Sequence, residues 1–285
     1  MIGRILCLFL ILLINSSFTD FPTNVNPAKF VLDAMIKAID KHNEFSYYVT
    51  SEERIDGELS NSTAFFKYQF KPRKIYMKVV KPDEGVEILF GDDMYDGDAL
   101  VNPNGFPYVN LSLNPEGWIM RKDHHNSLHD AGFHFICKVL EQSMQAVGDN
   151  FDKYFKYRGD TVVNGKRCFH VEIDVFDFKY FDYKVKGKEN ILDISDRLWL
   201  NDYLIVDKNK DVDDFDDVEE GKVIKLPSAY ARRIVIFIDS KTSFPIIEEI
   251  QDELGVYERY SFSKIVPSPG FTDEDFDEDN DAYGF

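Results

Sequence analysis

The chain has 285 residues, of which 44% are hydrophobic and 15% aromatic, and its 51 acidic against 33 basic side chains give a formal net charge of −18. This acidity argues against a nucleic-acid binder, because phosphate recognition depends on clustered Lys and Arg, and the apolar content argues against a largely disordered chain. The excess charge is local. Residues 207–220 carry eight acidic and two basic side chains, and residues 272–281 carry seven acidic and no basic ones. We therefore expect a nearly balanced folded domain with an acidic loop at 207–220 and an acidic C-terminal tail at 271–285.

Residues 1–19 are typical of a secretory signal peptide. A short start with one Arg is followed by ten apolar residues, 5–14, without a charge. Ten residues span only about 15 Å as a helix, roughly half of a bilayer core, so no transmembrane segment is expected in the mature chain. The mature protein is predicted to reach the periplasm or the cell exterior. There Cys137 and Cys168 either form a disulfide or remain two buried thiols, and the sequence leaves both open.

The first predicted helix spans residues 27–41. Asn26 is a suitable N-cap and Pro27 suits the first helical position. Polar residues recur every fourth position from Lys29 to Lys41, and nearly all the others are apolar. So wide an apolar arc predicts a helix that is enclosed on most of its circumference.

Strands follow, with side chains alternating between apolar and polar over 45–55, 64–71, 75–80 and 86–90. Asp56-Gly57 predicts a hairpin and Asn104-Gly105 another bend. One face of this meander is apolar. It either packs on the first helix or, where the helix leaves it uncovered, contacts an acyl chain of a ligand; its residues are Phe66, Tyr68, Phe70, Ile75, Met77, Val79, Val86 and Ile88.

A second helix is predicted over 127–147, and strands over 154–163, 167–176, 232–239, 246–252 and 256–265, with a less regular insertion at 177–230. The count is nine or ten strands and two helices, with connections too short for parallel crossovers. This pattern predicts an α+β fold. We expect a strongly curled antiparallel sheet, a half-open β-barrel, with the apolar first helix in its concave side.

No catalytic residue or cofactor is assigned, because the sequence has no Gly-x-Ser-x-Gly elbow, no Cys-x-x-Cys and no nucleotide-binding glycine loop. Two weak metal candidates stand out. His125 and His129 would lie one turn apart if the second helix began near residue 126. The acidic loop begins with oxygen-bearing side chains at alternate positions, Asp207, Asn209 and Asp211, but lacks the Gly and Glu that an EF-hand requires.

Two pairs of adjacent carboxylates lie on predicted strands, Glu52 with Glu53 and Glu248 with Glu249. Adjacent residues of a strand point to opposite faces of its sheet, so one member of each pair is expected to face the concave side. If that member is buried, its pKa should rise.

Several short segments, taken together and in order, resemble the secreted bacterial proteins grouped as domain-of-unknown-function 1571. The resemblance covers nearly all of the mature chain. The family has no assigned reaction and so implies no catalytic residue, and it is similar in architecture to the LolA/LolB-like lipoprotein carriers and acceptors, which implies a single half-barrel domain over 20–270. The segments are KPRKIYMK at 71–78, VNPNG at 101–105, LSLNPEG at 111–117, HDAGF at 129–133, LPSAYA at 226–231, FP at 244–245, YERYSF at 257–262 and the tail at 275–285.

Three functions are compatible with these observations. The leading hypothesis is an exported, non-enzymatic protein that binds a lipid, a lipoprotein or another acylated ligand in the groove of a half-barrel. The alternative is an envelope interaction or scaffold module whose acidic loop and tail bind cations or a protein partner. The third, a hydrolase, requires His and carboxylate groups that converge in a cleft.

Overall fold

The computed structural model describes residues 21, 25–106 and 108–285. The predicted signal peptide lies outside these residues. The helices of the described part are α1 (Pro27–Ile39), α2 (Trp118–Arg121), α3 (Phe133–Val147), α4 (Phe151–Tyr154), α5 (Ile191–Leu198) and α6 (Asp202–Lys208). Its strands are β1 (Glu44–Ile55), β2 (Glu58–Gln69), β3 (Lys74–Lys81), β4 (Glu87–Gly91), β5 (Ala99–Asn102), β6 (Leu111–Leu113), β7 (Phe155–Val163), β8 (Lys166–Asp174), β9 (Tyr180–Lys184), β10 (Val223–Pro227), β11 (Arg233–Asp239), β12 (Pro245–Asp252) and β13 (Gly255–Pro267).

Eleven strands form one antiparallel sheet in the order β6-β5-β4-β3-β2-β1-β13-β12-β11-β8-β7. The first and last long strands, β1 and β13, pair at its centre. The predicted α+β class, a large antiparallel sheet with few helices, is confirmed. In the described part of the chain β6 and β7 are edge strands, so this sheet is not a closed barrel, and its strong curl stays a prediction.

Helix α1 begins where the sequence predicts. The Asn26 side chain accepts hydrogen bonds from the backbone N–H groups of Ala28 (2.8 Å) and Lys29 (3.3 Å), which caps the helix. The helix packs against β7, β8 and α3. Its apolar arc is not fully enclosed, since Phe30 is 42% exposed.

The second predicted helix begins later than expected, at Phe133. Residues 128–130 form a separate 3-10 turn capped by Ser127, whose hydroxyl accepts from the backbone N–H of His129 at 3.1 Å. Gly132 then breaks the path with a φ of 94°, and a Cβ built on it would lie 2.4 Å from the Tyr68 ring. Only glycine tolerates both the conformation and this close approach.

The insertion at 177–230 is more regular than the sequence indicated. It contains α5, α6 and the two-stranded sheet of β9 and β10. It has its own apolar cluster, to which Val212 and Phe215 of the acidic loop contribute buried side chains. The apolar residues therefore anchor this loop while most of its carboxylates face solvent.

The acidic tail packs on the sheet. Phe276 is only 2% exposed, and the Tyr283 ring stacks on Tyr76 with centroids 3.9 Å apart. Lys67 binds Asp275 at 2.6 Å, one of the ion pairs that hold the tail. Because Tyr76 alternates with Ile75 of the main core, the tail covers the face of β3 opposite to that core. The acidic tail is therefore docked on the folded domain.

Cys137 of α3 and Cys168 of β8 are both buried and free. Of the two states that the sequence left open, the structure has two separate thiols. Within residues 25–106 and 108–285, no helix combines the length and the apolar character that crossing a bilayer requires.

Candidate functional site

A groove with a cavity of about 480 Å³ lies between the sheet and α3. The inner faces of β1, β2, β3 and β4 form one wall, and Phe135, Ile136 and Val139 of α3 form another. Helix α1 contributes no lining residue. The first helix packs on the same apolar face of the sheet, as expected, but at the β7–β8 end, so it does not fill this groove; α3 lines it instead.

The structure brings five of the eight predicted ligand-contacting residues to this groove, namely Phe66, Met77, Val79, Val86 and Ile88. The pairing register explains the grouping, since Met77 lies opposite both Phe66 on β2 and Ile88 on β4.

The other three predicted residues do not line the groove. Tyr68 and Ile75 form a cross-strand pair that is buried in the core. Phe70 stacks on the His134 ring of α3, with centroids 3.9 Å apart. Tyr68 and Phe70 both pack against His134 and so support the packing of α3 on the sheet.

One end of the groove is polar. Glu53, Glu248, Glu258 and Tyr260 all contribute to its lining. The Tyr260 hydroxyl lies 2.8 Å from Glu53 Oε1 and 3.1 Å from Glu258 Oε2, and it accepts a hydrogen bond from Asn126 Nδ2 at 2.7 Å. A single phenolic proton serves only one of the two carboxylates at a time.

The strand register accounts for this group of side chains. Glu53 of β1 lies opposite Glu258 of β13, and Glu248 of β12 lies opposite Tyr260. The adjacent carboxylates Glu52 and Glu249 point to the other face of the sheet. There they share one partner, Arg259, which donates to Glu52 at 3.0 Å and to Glu249 at 2.8 Å. The prediction that one member of each glutamate pair faces the groove is confirmed.

The buried carboxyl groups have opposite electrostatic environments. Burial, reinforced by the charge of Glu258, raises the pKa of Glu248 to about 8. Burial also acts to raise the pKa of Glu53, but a hydrogen bond with His124 and the charges of His124 and His125 outweigh it and lower that pKa to about 2. Near neutral pH Glu248 is therefore protonated and Glu53 ionised, although both line the same groove.

His125 is buried behind the groove wall. Its Nδ1 lies 3.1 Å from Glu258 Oε2, its Nε2 lies 3.3 Å from the Arg54 carbonyl oxygen, and its backbone N–H donates to Glu53 Oε1 at 2.9 Å. Burial disfavours the charged imidazole, but the contact with Glu258 prevails and raises the pKa of His125.

The metal candidates of the sequence do not share one site. His129 lies in a separate environment, with its Nδ1 2.8 Å from Arg73 Nη1. Asn209 of the acidic loop is occupied by backbone: its Nδ2 donates to the Ile205 and Lys225 carbonyl oxygens, at 2.7 and 2.9 Å. Asp207 accepts from the Tyr257 hydroxyl, and Asp211 pairs with Lys222 on the surface. Because α3 begins only at Phe133 and residues 128–130 form a separate 3-10 turn, His125 and His129 do not lie one turn apart on a helix. The fold of the insertion uses Asn209 as a structural bridge.

Glu258 and Tyr260 were missed as site residues in the sequence. Both lie in the segment YERYSF at 257–262, and the alternation along that strand places them on one face. The sequence does not show which strand lies beside them, because β13 pairs with β1 from the opposite end of the chain.

The profile of the family described as protein of unknown function (DUF1571) matches residues 42–200. A comparison with curated proteins finds no match.

Solved structures that are similar to this chain include three examples. The crystal structure of a DUF1329 family protein from Desulfovibrio piger is 12% identical, with a TM-score of 0.36, over 89% of this chain and 98% of that one. The LolA superfamily protein NE2245 from Nitrosomonas europaea is 11% identical, with a TM-score of 0.33, over 88% and 98%. The lipoprotein LppX from Mycobacterium tuberculosis is 11% identical, with a TM-score of 0.40, over 84% and 94%. At these identities and TM-scores the likenesses carry no argument about a ligand.

Proposed function

This chain belongs to the DUF1571 family of proteins of unknown function, and we propose that it is an exported, non-enzymatic protein of the cell envelope that binds a lipid or an acylated partner in its groove. The supporting observation is the groove itself. Its volume of about 480 Å³ falls within the roughly 300–1,000 Å³ of typical ligand pockets. Its apolar walls suit an acyl chain, and the carboxyl and phenol groups at one end suit a polar headgroup.

The division of the groove into apolar walls and one polar end favours an amphipathic ligand. Aliphatic and aromatic side chains such as Met77, Val79 and Ile88 gain by excluding water from an acyl chain, at about 25 cal/mol per Å² of apolar surface buried. Glu53, Glu258 and Tyr260 offer hydrogen-bonding groups that a purely hydrocarbon ligand would leave unused. We also propose that the sheet curls into a half-barrel around this groove and that residues 1–19 are cleaved on export.

Mass spectrometry of organic extracts of the purified exported protein tests the proposal, together with titration of the fluorescent fatty acid cis-parinaric acid. Val79→Trp fills the groove and should weaken binding of the probe at least about tenfold. Val80→Trp is the matched control, because Val80 is the next residue of β3, is 41% exposed and does not line the groove. Recovery of no lipid, combined with no probe binding by the wild-type protein, would refute the proposal.

One observation favours a hydrolase as a second candidate: His125 and Glu258 converge at 3.1 Å beside the groove. The surroundings of the imidazole argue against it. The ring is stacked on Tyr257 and tilted against Tyr203, with centroids 4.1 and 4.5 Å away, and it does not line the groove. A general base must come within hydrogen-bond reach of the proton that it removes. Release of product from p-nitrophenyl acyl esters, lost in His125→Asn, would support the hydrolase instead.

The interaction-module alternative loses part of its basis. Carboxylates of the tail pair with Lys67 and Lys74 of the same chain, at 2.6 Å each. The fold already uses these charges, so they are less available to an external partner.

A further inference from the structure

Three buried side chains beside the groove bring potential metal ligands together. One ligand atom from each of Glu53, His125 and Glu258 lies within 4.8 Å of the other two. The three residues come from β1, from the segment before the 128–130 turn and from β13. The tertiary fold alone assembles them, and this set differs from both metal candidates of the sequence.

The hydrogen bond and the ring packing of His125 are those of a typical metal-binding histidine. Its Nε2 lies 3.3 Å from the Arg54 carbonyl oxygen, and ligating histidines usually donate their second N–H to such an oxygen. The stack on Tyr257, with centroids 4.1 Å apart, fixes the ring plane. With the proton on Nε2, the Nδ1 lone pair is directed at Glu258 Oε2, 3.1 Å away. Neighbouring ligand atoms of a tetrahedral zinc site lie about 3.3 Å apart, given bonds of about 2.0–2.1 Å.

A cation would stabilise the buried carboxylates of this group. Within the described residues no Lys or Arg forms an ion pair with Glu53, Glu248 or Glu258. Carboxylates that are removed from water are costly unless a positive charge or a metal compensates them. Protonated histidine is one source of that charge and a metal ion is the other.

We propose that Glu53, His125 and Glu258 bind a divalent transition-metal ion of the Zn²⁺ type. His125 provides Nδ1, and each glutamate provides one carboxylate oxygen. Imidazole nitrogen and carboxylate oxygen together suit Zn²⁺ better than Mg²⁺ or Ca²⁺, which prefer oxygen ligands alone. Because Glu53 and Glu258 also line the groove, the ion has an entry path and a fourth coordination position on the groove side. Tyr260, which contacts both carboxylates, would hold them in place.

Titration of the metal-free, lipid-free protein with Co²⁺, followed by competition with Zn²⁺, tests this site. We expect visible ligand-field bands of low-symmetry Co²⁺ that saturate at one ion per chain and disappear on addition of Zn²⁺. Glu53→Gln and Glu258→Gln should each weaken the affinity by more than about 100-fold, because loss of even an outer partner costs about 10–100-fold. His129→Asn is the matched control and should bind as the wild type does.

The titration of the wild-type protein tests the proposal even if a glutamine variant fails to fold, which circular dichroism would show. Absence of the Co²⁺ bands and of Zn²⁺ retention in the folded wild-type protein would overturn it. Bands that persist in both glutamine variants would do the same, since the ion would then lie elsewhere. Lipid extraction in the presence of EDTA tests the proposed function separately, so the two proposals can fail independently.

Discussion

Glu248→Gln gives the most direct test of the electrostatics in the groove. Glu248 lies on β12, is 8% exposed and has no ion-pair partner within the described residues. Glutamine has nearly the same shape and cannot ionise. The substitution therefore removes one titration and leaves the packing unchanged, which isolates the effect of a buried carboxyl on stability.

The expected magnitude follows from the pKa of Glu248, which burial raises from 4.5 to about 8. Between these two values the folded state keeps a proton that the unfolded state has released. The stability that this proton contributes is fully present below about pH 4.5 and is lost as the pH rises toward 8. The slope is about −1.4 kcal/mol per pH unit over about 3.5 units, so the total is on the order of 5 kcal/mol.

Urea unfolding at intervals between about pH 5 and about pH 8, in EDTA, measures this effect. We expect the Gln variant to gain stability relative to the wild type as the pH increases, with most of the gain present by about pH 8. Glu249→Gln is the control, because it removes a carboxyl from the same strand on the opposite face, where Arg259 binds it. Parallel stability profiles of the wild type and Glu248→Gln would show that Glu248 is not held protonated in the folded groove.

Three further predictions concern packing. Phe276→Ala should lower the free energy of unfolding by about 3–5 kcal/mol in urea titrations, because the buried ring anchors the tail to the sheet; an effect below about 1 kcal/mol would mean that the tail does not dock. Gly132→Ala should cost more than Gly57→Ala, since both glycines have positive φ but only at Gly132 would a Cβ meet a ring, that of Tyr68, at 2.4 Å; equal losses would contradict this close approach. Burial raises the pKa of the Cys137 thiol, so it should react with Ellman's reagent only after unfolding, and rapid reaction of the native protein would argue against its burial.

Local signals in the sequence suffice for most of the sheet. The alternation of side chains and the turn residues place β1, β7 and β12 within one or two residues of their observed bounds. Asn26 likewise marks the start of α1. The short strands β5 and β6 were missed because three or four residues carry too little periodicity to distinguish them from a loop.

The incorrect start of the second helix and the incorrect partner of α1 have one cause, contacts between residues that are distant in the sequence. The predicted start of the second helix lies too early in the chain because the sequence is compatible with a helix from residue 127. Only the close approach of Tyr68 to Gly132 requires the break. The apolar arc of α1 correctly predicted burial but not the partner. Whether α1 or α3 covers the middle of the sheet depends on strand order, which local periodicity does not contain.

The charge asymmetry of the sheet indicates where a charge-dependent function should be sought. On the outer face Glu52 and Glu249 share Arg259, and Asp273 and Asp275 of the tail have lysine partners. On the groove face Glu53 and Glu258 have only histidine as an ion-pair partner within the described residues. Both faces come from the same strands, so composition does not explain the difference. Carboxylates that already have Lys or Arg partners gain little from an added cation, whereas those of the groove gain most. The groove, not the acidic loop or tail that dominates the net charge, is therefore the place where a cation or a polar headgroup would have the largest effect.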